Sequence, residues 1–403
     1  MPRKRPPAKR RMTKRRTKMP VKPWTLLVYM VTDSAEKPTR ARPLLDTPAE
    51  QDAYLLADAL RPHARRIHVA IQADLKATSG TYRWILGQDA QFGKESRATS
   101  TRALNEFFDW GRKACPAKRY AVLFWGHSEG PMGLFSDSDP GKPHSEDELS
   151  LKELSAGLRH MSVKLLNRRP IDVVLFKNCF QAILETGFEV RDSVRYVIAS
   201  QALVPSPRWP YPGLLASLTQ ARTAAIVPKL LDALGEFYSD PTNRGDPVHP
   251  VVPFSLLDLK VLDEVAAPLR ALVKSLIAAK SMSAQIHEAC KRAWVHNACE
   301  QDALTPGDVM LLDIRALCDE LTRLGAPVLS RQAGALGQKI ERLVVGLRPQ
   351  SSPFRGVSAY YFPPSSAQLN KSLIGPLLKQ SAYEKLVCSR KTHWAKIALL
   401  NSA

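Results

Sequence analysis

The sequence predicts an α/β fold with a mostly parallel central sheet and helices on both faces. Three observations carry that expectation. Runs of consecutive apolar residues, rather than alternating ones, recur along the first half: "WTLLVYMV" at 24–31, "YAVLFW" at 120–125 and "IDVVLF" at 171–176. Segments opened by helix-capping signals separate them. No apolar run approaches the ~20 residues that a membrane-spanning helix needs. Strands buried on both faces read as continuous apolar runs, and the right-handed crossovers joining them place helices on both sides of the sheet.

The elements follow in order. Trp24–Val31 is the first buried strand. Thr47-Pro48-Ala49-Glu50 forms a capping box with proline at the first helical position, opening a helix to about Arg61. "RIHVAIQAD" is a strand, and "TYRWILG" a shorter, antiparallel one. Ser100 caps a helix through Lys113, ahead of the strand at 120–125. Ser150 with Glu153 makes a second capping box for a helix at 151–163, followed by the strand at 171–176. A helix through about Asp192 leads to the strand "RYVIAS". From 222 to 347 the pattern is mainly helical, with "FSLLDL" (254–259) as a strand. "GVSAYYFP" (356–363) reads as a returning strand and 380–400 as a terminal helix. The expected division is a tail at 1–22, a core at 23–220, and a mainly helical region at 221–403 packed on the core.

Composition narrows the class. The chain has 403 residues, 44% of them hydrophobic, enough for a large core. Its six cysteines are scattered without a C-x-x-C pair, which points to free thiols in a reducing, cytoplasmic setting rather than a disulfide framework. The net charge is +20, and residues 1–22 hold eleven Lys and Arg with no acid. Such a segment cannot bury enough apolar surface to order itself, so it is expected to be a disordered tail. Solvation alone accounts for it; weak, salt-sensitive contact with nucleic acid or an anionic surface is the functional alternative.

The ends of two apolar runs raise a question of chemistry. "YAVLFWGHSEG" finishes on His127, and "IDVVLFKNCFQAILE" finishes on Lys177-Asn178 and then Cys179. In open α/β sheets the active site lies at the carboxyl ends of the strands, where loops carry polar groups without burying them. Neighbouring strands lie ~4.8 Å apart, so a thiol and an imidazole at adjacent ends can meet. The imidazole would take the thiol proton and later protonate a leaving amine. A buried cysteine beside an unrelated histidine is the plainer alternative.

At these residues the chain resembles the clostripain-type cysteine peptidases of the caspase-like clan. "WTLLVYMVTDS", "YAVLFWGHSEG", "IDVVLFKNCFQAILETGFEVRDSVRYVIASQ", "VPSPRWPY" (204–211) and "GVSAYYFPPS" match that family's landmarks in order, over about residues 24–400. The resemblance implies a caspase-like three-layer sandwich and hydrolysis of protein or peptide substrates. It implies His127 as general base and acid, Cys179 as nucleophile, and an oxyanion hole of the Ser128 and Cys179 N–H groups. Substrate binding is expected from Lys177, Ser200, Trp209 and Tyr211.

Two departures bear on activity. Ser128 stands where the family has glycine, and a serine resists backbone angles that glycine adopts freely. Lys177 stands where the family commonly has an aspartate that holds a basic substrate residue. Two residues before the nucleophile, on the same side of a strand, the cation argues against arginine specificity. The alternatives are a catalytically impaired caspase-like scaffold, and a regulator tethered to nucleic acid by its tail.

Other constellations are weaker. His287/Cys290 and His296/Cys299 each have i, i+3 spacing, but one straight helix would aim the two pairs apart, so no metal site is expected. The acidic loop with Asp137, Asp139, Glu146, Asp147 and Glu148 is a calcium candidate by charge alone, without EF-hand spacing. No organic cofactor is expected.

Overall fold

The computed structural model describes residues 19–32, 46–75, 81–92, 97–138, 146–205, 208–219, 223–244, 251–295, 311–361 and 380–398. In chain order these form β1 (Lys22–Val31), α1 (Asp46–Leu60), β2 (Ile67–Asp74), β3 (Thr81–Ile85), β4 (Gln91–Phe92), α2 (Thr101–Ala114) and β5 (Ala117–Gly126). Next come β6 (Leu134–Ser138), β7 (Glu146–Leu149), α3 (Leu151–His160), β8 (Ile171–Lys177), α4 (Leu184–Val190), β9 (Val194–Ser200), α5 (Tyr211–Leu218) and α6 (Thr223–Ser239). They are followed by β10 (Phe254–Asp258), α7 (Leu262–Ala278), α8 (Ser283–Arg292), β11 (Leu311–Asp313), α9 (Ile314–Arg323), α10 (Pro327–Leu343), β12 (Val344–Arg348) and β13 (Ser358–Tyr360). Three short helices close the described chain: α11 (Gln380–Glu384), α12 (Val387–Thr392) and α13 (Ala395–Ala398).

One nine-stranded sheet runs in the order β12-β10-β9-β8-β5-β1-β2-β3-β4. Its middle five strands, β9 to β2, are parallel; the pairs at each edge are antiparallel. The continuous apolar runs are explained by burial on both faces. Leu27, Tyr29 and Val31 of β1 join a core with α2, α3 and α7, while Leu26, Val28 and Met30 join a second core with α1, α5 and α6. The fold is therefore the three-layer α/β sandwich that the sequence predicts.

Local signals set the helix starts. The Ser100 hydroxyl accepts the Ala103 N–H at 3.1 Å, and Ser150 and Glu153 form a reciprocal capping box. The helix expected after Thr47 is present, although that side chain lies outside the described residues.

The second half departs from expectation in three places. Both β10 and β12, from beyond residue 221, extend the same sheet, so the C-terminal region completes the core and does not merely pack on it. The returning strand at 358–360 instead pairs with β11 in a separate two-stranded sheet. The terminal helix breaks at His393, whose φ of 61° is left-handed. The break lets Trp394 turn inward and donate its Nε1–H to the Tyr360 carbonyl at 2.7 Å. Among the described residues no helix is long and apolar enough to cross a membrane.

Candidate active site

Sheet register sets side by side the two strands whose carboxyl ends lead to the candidate catalytic residues. Ala121 pairs with Val173 and Trp125 with Lys177 in the parallel β5–β8 ladder. His127 and Cys179 each lie two residues past the last pair of that ladder, beyond the ends of neighbouring strands ~4.8 Å apart. The Asn178 carboxamide locks the two ends, donating to the carbonyls of Gly126 (2.9 Å) and His127 (3.1 Å). Gly126 has φ 152°, and a Cβ there would lie 2.5 Å from the Val31 carbonyl, so β5 ends against β1 only with glycine. The Cys179 sulfur is half-buried and accepts the Val204 N–H at 3.3 Å.

The loop after His127 is held from beneath by Gln181. Its Nε2 donates to the Ser128 hydroxyl (2.5 Å) and the Gly130 carbonyl (3.1 Å), while its Oε1 accepts from Thr186 (2.8 Å). Ser128 faces Leu134 in an isolated bridge whose hydrogen bonds use the N–H groups of Glu129 and Phe135. That pairing leaves the Ser128 N–H outside the bridge, where it can serve an oxyanion. The strain expected of serine at this place does not arise: the positive φ values fall on Gly126, Gly130 and Gly133, and Ser128 is not among the positive-φ residues.

Lys177 behaves differently from the expectation built on strand alternation. Lys177 is the last residue of β8 and packs with Asp52 and Trp125 on the side of one core, whereas Cys179 packs against the other core, so the two side chains do not share a face. The Lys177 side chain is 1% exposed and forms an ion pair with Asp52, itself 0% exposed. The ammonium also sits 4.9 Å from the centre of the Trp125 ring, whose Nε1–H donates to the same Asp52 oxygen at 2.6 Å. Burial pushes the Lys177 pKa down to about 8, with Asp52 opposing the shift. The expected charge reversal is therefore offset by a carboxylate from α1.

The remaining substrate-binding candidates are buried. Ser200 is fully buried, and its hydroxyl accepts the Ala202 N–H at 3.0 Å, a local turn contact. Trp209 and Tyr211 lie in the core on the Asp52 side of the sheet, with Trp209 6.0 Å from the Phe254 ring. All three side chains lie in the packed interior and not on the surface. Asp52 Oδ1, Trp209 Nε1, Tyr211 OH and Tyr238 OH are each buried without a hydrogen bond of ordinary geometry. Tyr238 is raised above its ordinary pKa mainly by burial, and the charges of Asp52 and Cys179 add to the shift.

Asp52, Asn178 and Gln181 escaped sequence reasoning. Asp52 does leave a signal: it is the lone acid on the buried stripe Ala49, Asp52, Leu56, Ala59 of α1. Asn178 and Gln181 are polar residues inside an otherwise apolar stretch, which flags them without revealing their partners.

The other described thiols differ from Cys179. Cys115, Cys290, Cys318 and Cys388 are buried, and burial drives the first three to about 12, 11 and 12. Cys388 is raised well above the ordinary value by the same cause. His296 and Cys299 fall outside the described residues, as do the acidic-loop side chains other than Glu148. Among the described residues no group of three or more His, Cys, Asp or Glu is arranged to hold a metal.

Comparison with known proteins agrees with this fold. A secreted C11 cysteine protease from Bacteroides thetaiotaomicron, solved with an irreversible peptide inhibitor, superposes with a TM-score of 0.65 at 15% identity, covering 93% of this chain and 99% of that one. An inactive zymogen C11 protease from Parabacteroides distasonis gives 0.60 at 16% identity, with the same coverage of 93% and 99%. At such identities these likenesses establish the fold. No curated protein sequence matches the chain. The sequence model of the clostripain family matches residues 77–316, more than half the chain, and on that match the chain belongs to the clostripain family of cysteine peptidases.

Proposed function

We propose that this cysteine endopeptidase cleaves protein or peptide substrates with Cys179 as nucleophile and His127 as its base and acid. The Cys179 sulfur attacks the scissile carbonyl carbon while His127 takes the thiol proton. The tetrahedral oxyanion is held by the N–H groups of Ser128 and Cys179. Collapse expels the amine, which receives its proton from His127, and leaves a thioester. Water, deprotonated by His127, then releases the acid and regenerates the thiol. The mechanism as proposed uses no metal or organic cofactor. The observation that supports it most is the β5–β8 register, which sets side by side the strand ends leading to His127 and to Cys179, the one described cysteine that is not buried.

The primary specificity pocket is proposed to be neutral. Lys177 occupies the place of an acid that would hold arginine, and Asp52 balances it. Buried polar atoms of Trp209, Tyr211 and Tyr238 offer hydrogen bonds but no net charge. Uncharged residues before the scissile bond are therefore the proposed preference. A cytoplasmic location is part of this reading and rests only on the five free described cysteines.

Peptide-library cleavage by wild type beside Cys179→Ala and His127→Ala tests the assignment. Both substitutions should abolish turnover while leaving the circular dichroism spectrum unchanged. A peptide electrophile should label Cys179 far faster than the buried thiols. Cleavage by Cys179→Ala at the wild-type rate would show that the nucleophile is misassigned.

A further inference from the structure

The four central strands β2-β1-β5-β8 begin side by side at the pole of the sheet opposite His127 and Cys179. Each begins with cations. Arg65 and Arg66 precede β2, Lys118 and Arg119 open β5, and Arg168 and Arg169 precede β8. At the start of β1, Lys22 turns inward and donates to the carbonyls of Ala64 and Ile67, tying the β1 and β2 ends together. Across the other gap, Arg169 Nη1 donates to the Lys118 carbonyl at 3.4 Å. Arg65, Arg66, Lys118, Arg168 and Arg169 are exposed, and none of them is in an ion pair among the described residues. The acid within this row, Asp172, offsets one charge and is occupied by the Tyr120 N–H (3.1 Å) and the Thr223 hydroxyl (2.7 Å).

We infer that this pole is a nucleic-acid-binding surface that takes the phosphodiester backbone without reading sequence. Three interstrand steps of ~4.8 Å make the row about 14 Å wide. A DNA duplex carries one phosphate per ~1.7 Å of axis with both strands counted, so about eight phosphates fall within such a span, about four on each strand. Five of the six cations are arginines, whose planar fork matches phosphate oxygens. The described chain also enters the fold here, with the Pro20 carbonyl 2.8 Å from His68 Nε2, and the sequence before it, residues 1–18, carries ten more Lys and Arg. An anionic bilayer fits less well. The large apolar residues exposed near the pole are Val21 and Val163, not the Trp, Phe or Leu that anchor interfacial segments. The ten-residue β5 separates this pole from His127 by about 30 Å, so polyanion binding leaves the peptidase cleft open.

The test uses the full chain and a fluorescently labelled, mixed-sequence DNA duplex, titrated by anisotropy across a range of salt. Replacing Arg66, Lys118, Arg168 and Arg169 together with glutamine should lower the slope of log K against log salt by about 3 to 4, near 0.9 per lost phosphate contact. Arg66→Lys, Arg168→Lys and Arg169→Lys together should keep most of that slope, because a point charge still displaces counterions. Peptidase activity of the glutamine variant should match wild type, which separates this inference from the catalytic one. A glutamine variant with the wild-type slope would assign binding to residues 1–18 and overturn the proposal. So would wild-type protein that ignores the duplex and binds phosphatidylserine vesicles instead.

Discussion

Asparagine at position 52 is the sharpest probe of the buried pair. Asp52→Asn keeps an oxygen for the Trp125 N–H, which donates to this side chain at 2.6 Å, and removes only the charge facing Lys177. The Lys177 side chain is 1% exposed, so water cannot replace the lost partner. The lysine then either stays charged in a dry site or gives up its proton. Holding an ordinary lysine, pKa 10.5, neutral at pH 7 costs at most about 5 kcal/mol, and removing one partner of a buried pair typically costs about 3–5 kcal/mol. A loss of about 3–5 kcal/mol in urea unfolding, followed by tryptophan fluorescence at pH 7, is the expected result. Because the folded pKa is depressed, the unfolded chain binds more protons between the two pKa values, and stability rises with pH there. In wild type that window opens near 8 and closes near 10.5. In Asp52→Asn it should open lower, so the variant recovers part of its deficit between pH 7 and 10. Asp52→Leu with Lys177→Met should return stability to within about 1–2 kcal/mol of wild type, since matched apolar pairs replace buried ion pairs at little cost. Single variants that lose under 1 kcal/mol, with additive effects in the double, would show that the two side chains do not interact.

Three further outcomes follow from the same structure. Wild-type cleavage of a peptide library should favour uncharged residues before the scissile bond and disfavour Arg and Lys by roughly tenfold or more; strong arginine cleavage unchanged in Lys177→Ala would contradict the neutral pocket. Gln181→Ala should lower kcat about 10- to 100-fold with little change in KM, because the Ser128 loop loses its tethers while substrate contacts persist; equal loss in a Gln181→Glu variant that keeps the loop ordered would argue against a positioning role. Glu185 is buried with its pKa raised by burial, while Tyr383 OH and Tyr360 N–H donate to it. A raised acid binds more protons when folded, so wild-type stability relative to Glu185→Gln should fall as pH rises above the ordinary glutamate range, and parallel pH profiles in thermal melts would refute this.

Local signals made most of the core legible. Continuous apolar runs marked β1, β5 and β8, because a strand covered on both faces has no polar side to show. Ser100 and Ser150 marked helix starts, because a cap needs only residues three positions apart. His127 and Cys179 stood out as polar residues ending such runs. β10 was legible as the strand at 254–259, but the edge strand β12 was not, since its place is set by antiparallel pairing with β10, about ninety residues earlier in the chain. The C-terminal helix read as continuous, yet packing of Trp394 under Tyr360 broke it, a tertiary gain outweighing local propensity.

Within the site, the sequence by itself determined which residue types lie at the carboxyl ends of neighbouring strands, because length and apolarity place those ends. Only the tertiary structure decided what surrounds them. The ladder sets β5 beside β8, Gln181 reaches back under Ser128, and Asp52 meets Lys177 across 125 positions of chain. A charge's effect depends on its burial and its nearest counter-charge. Both are set by packing between α1 and β8, and neither is written in the residues beside Lys177.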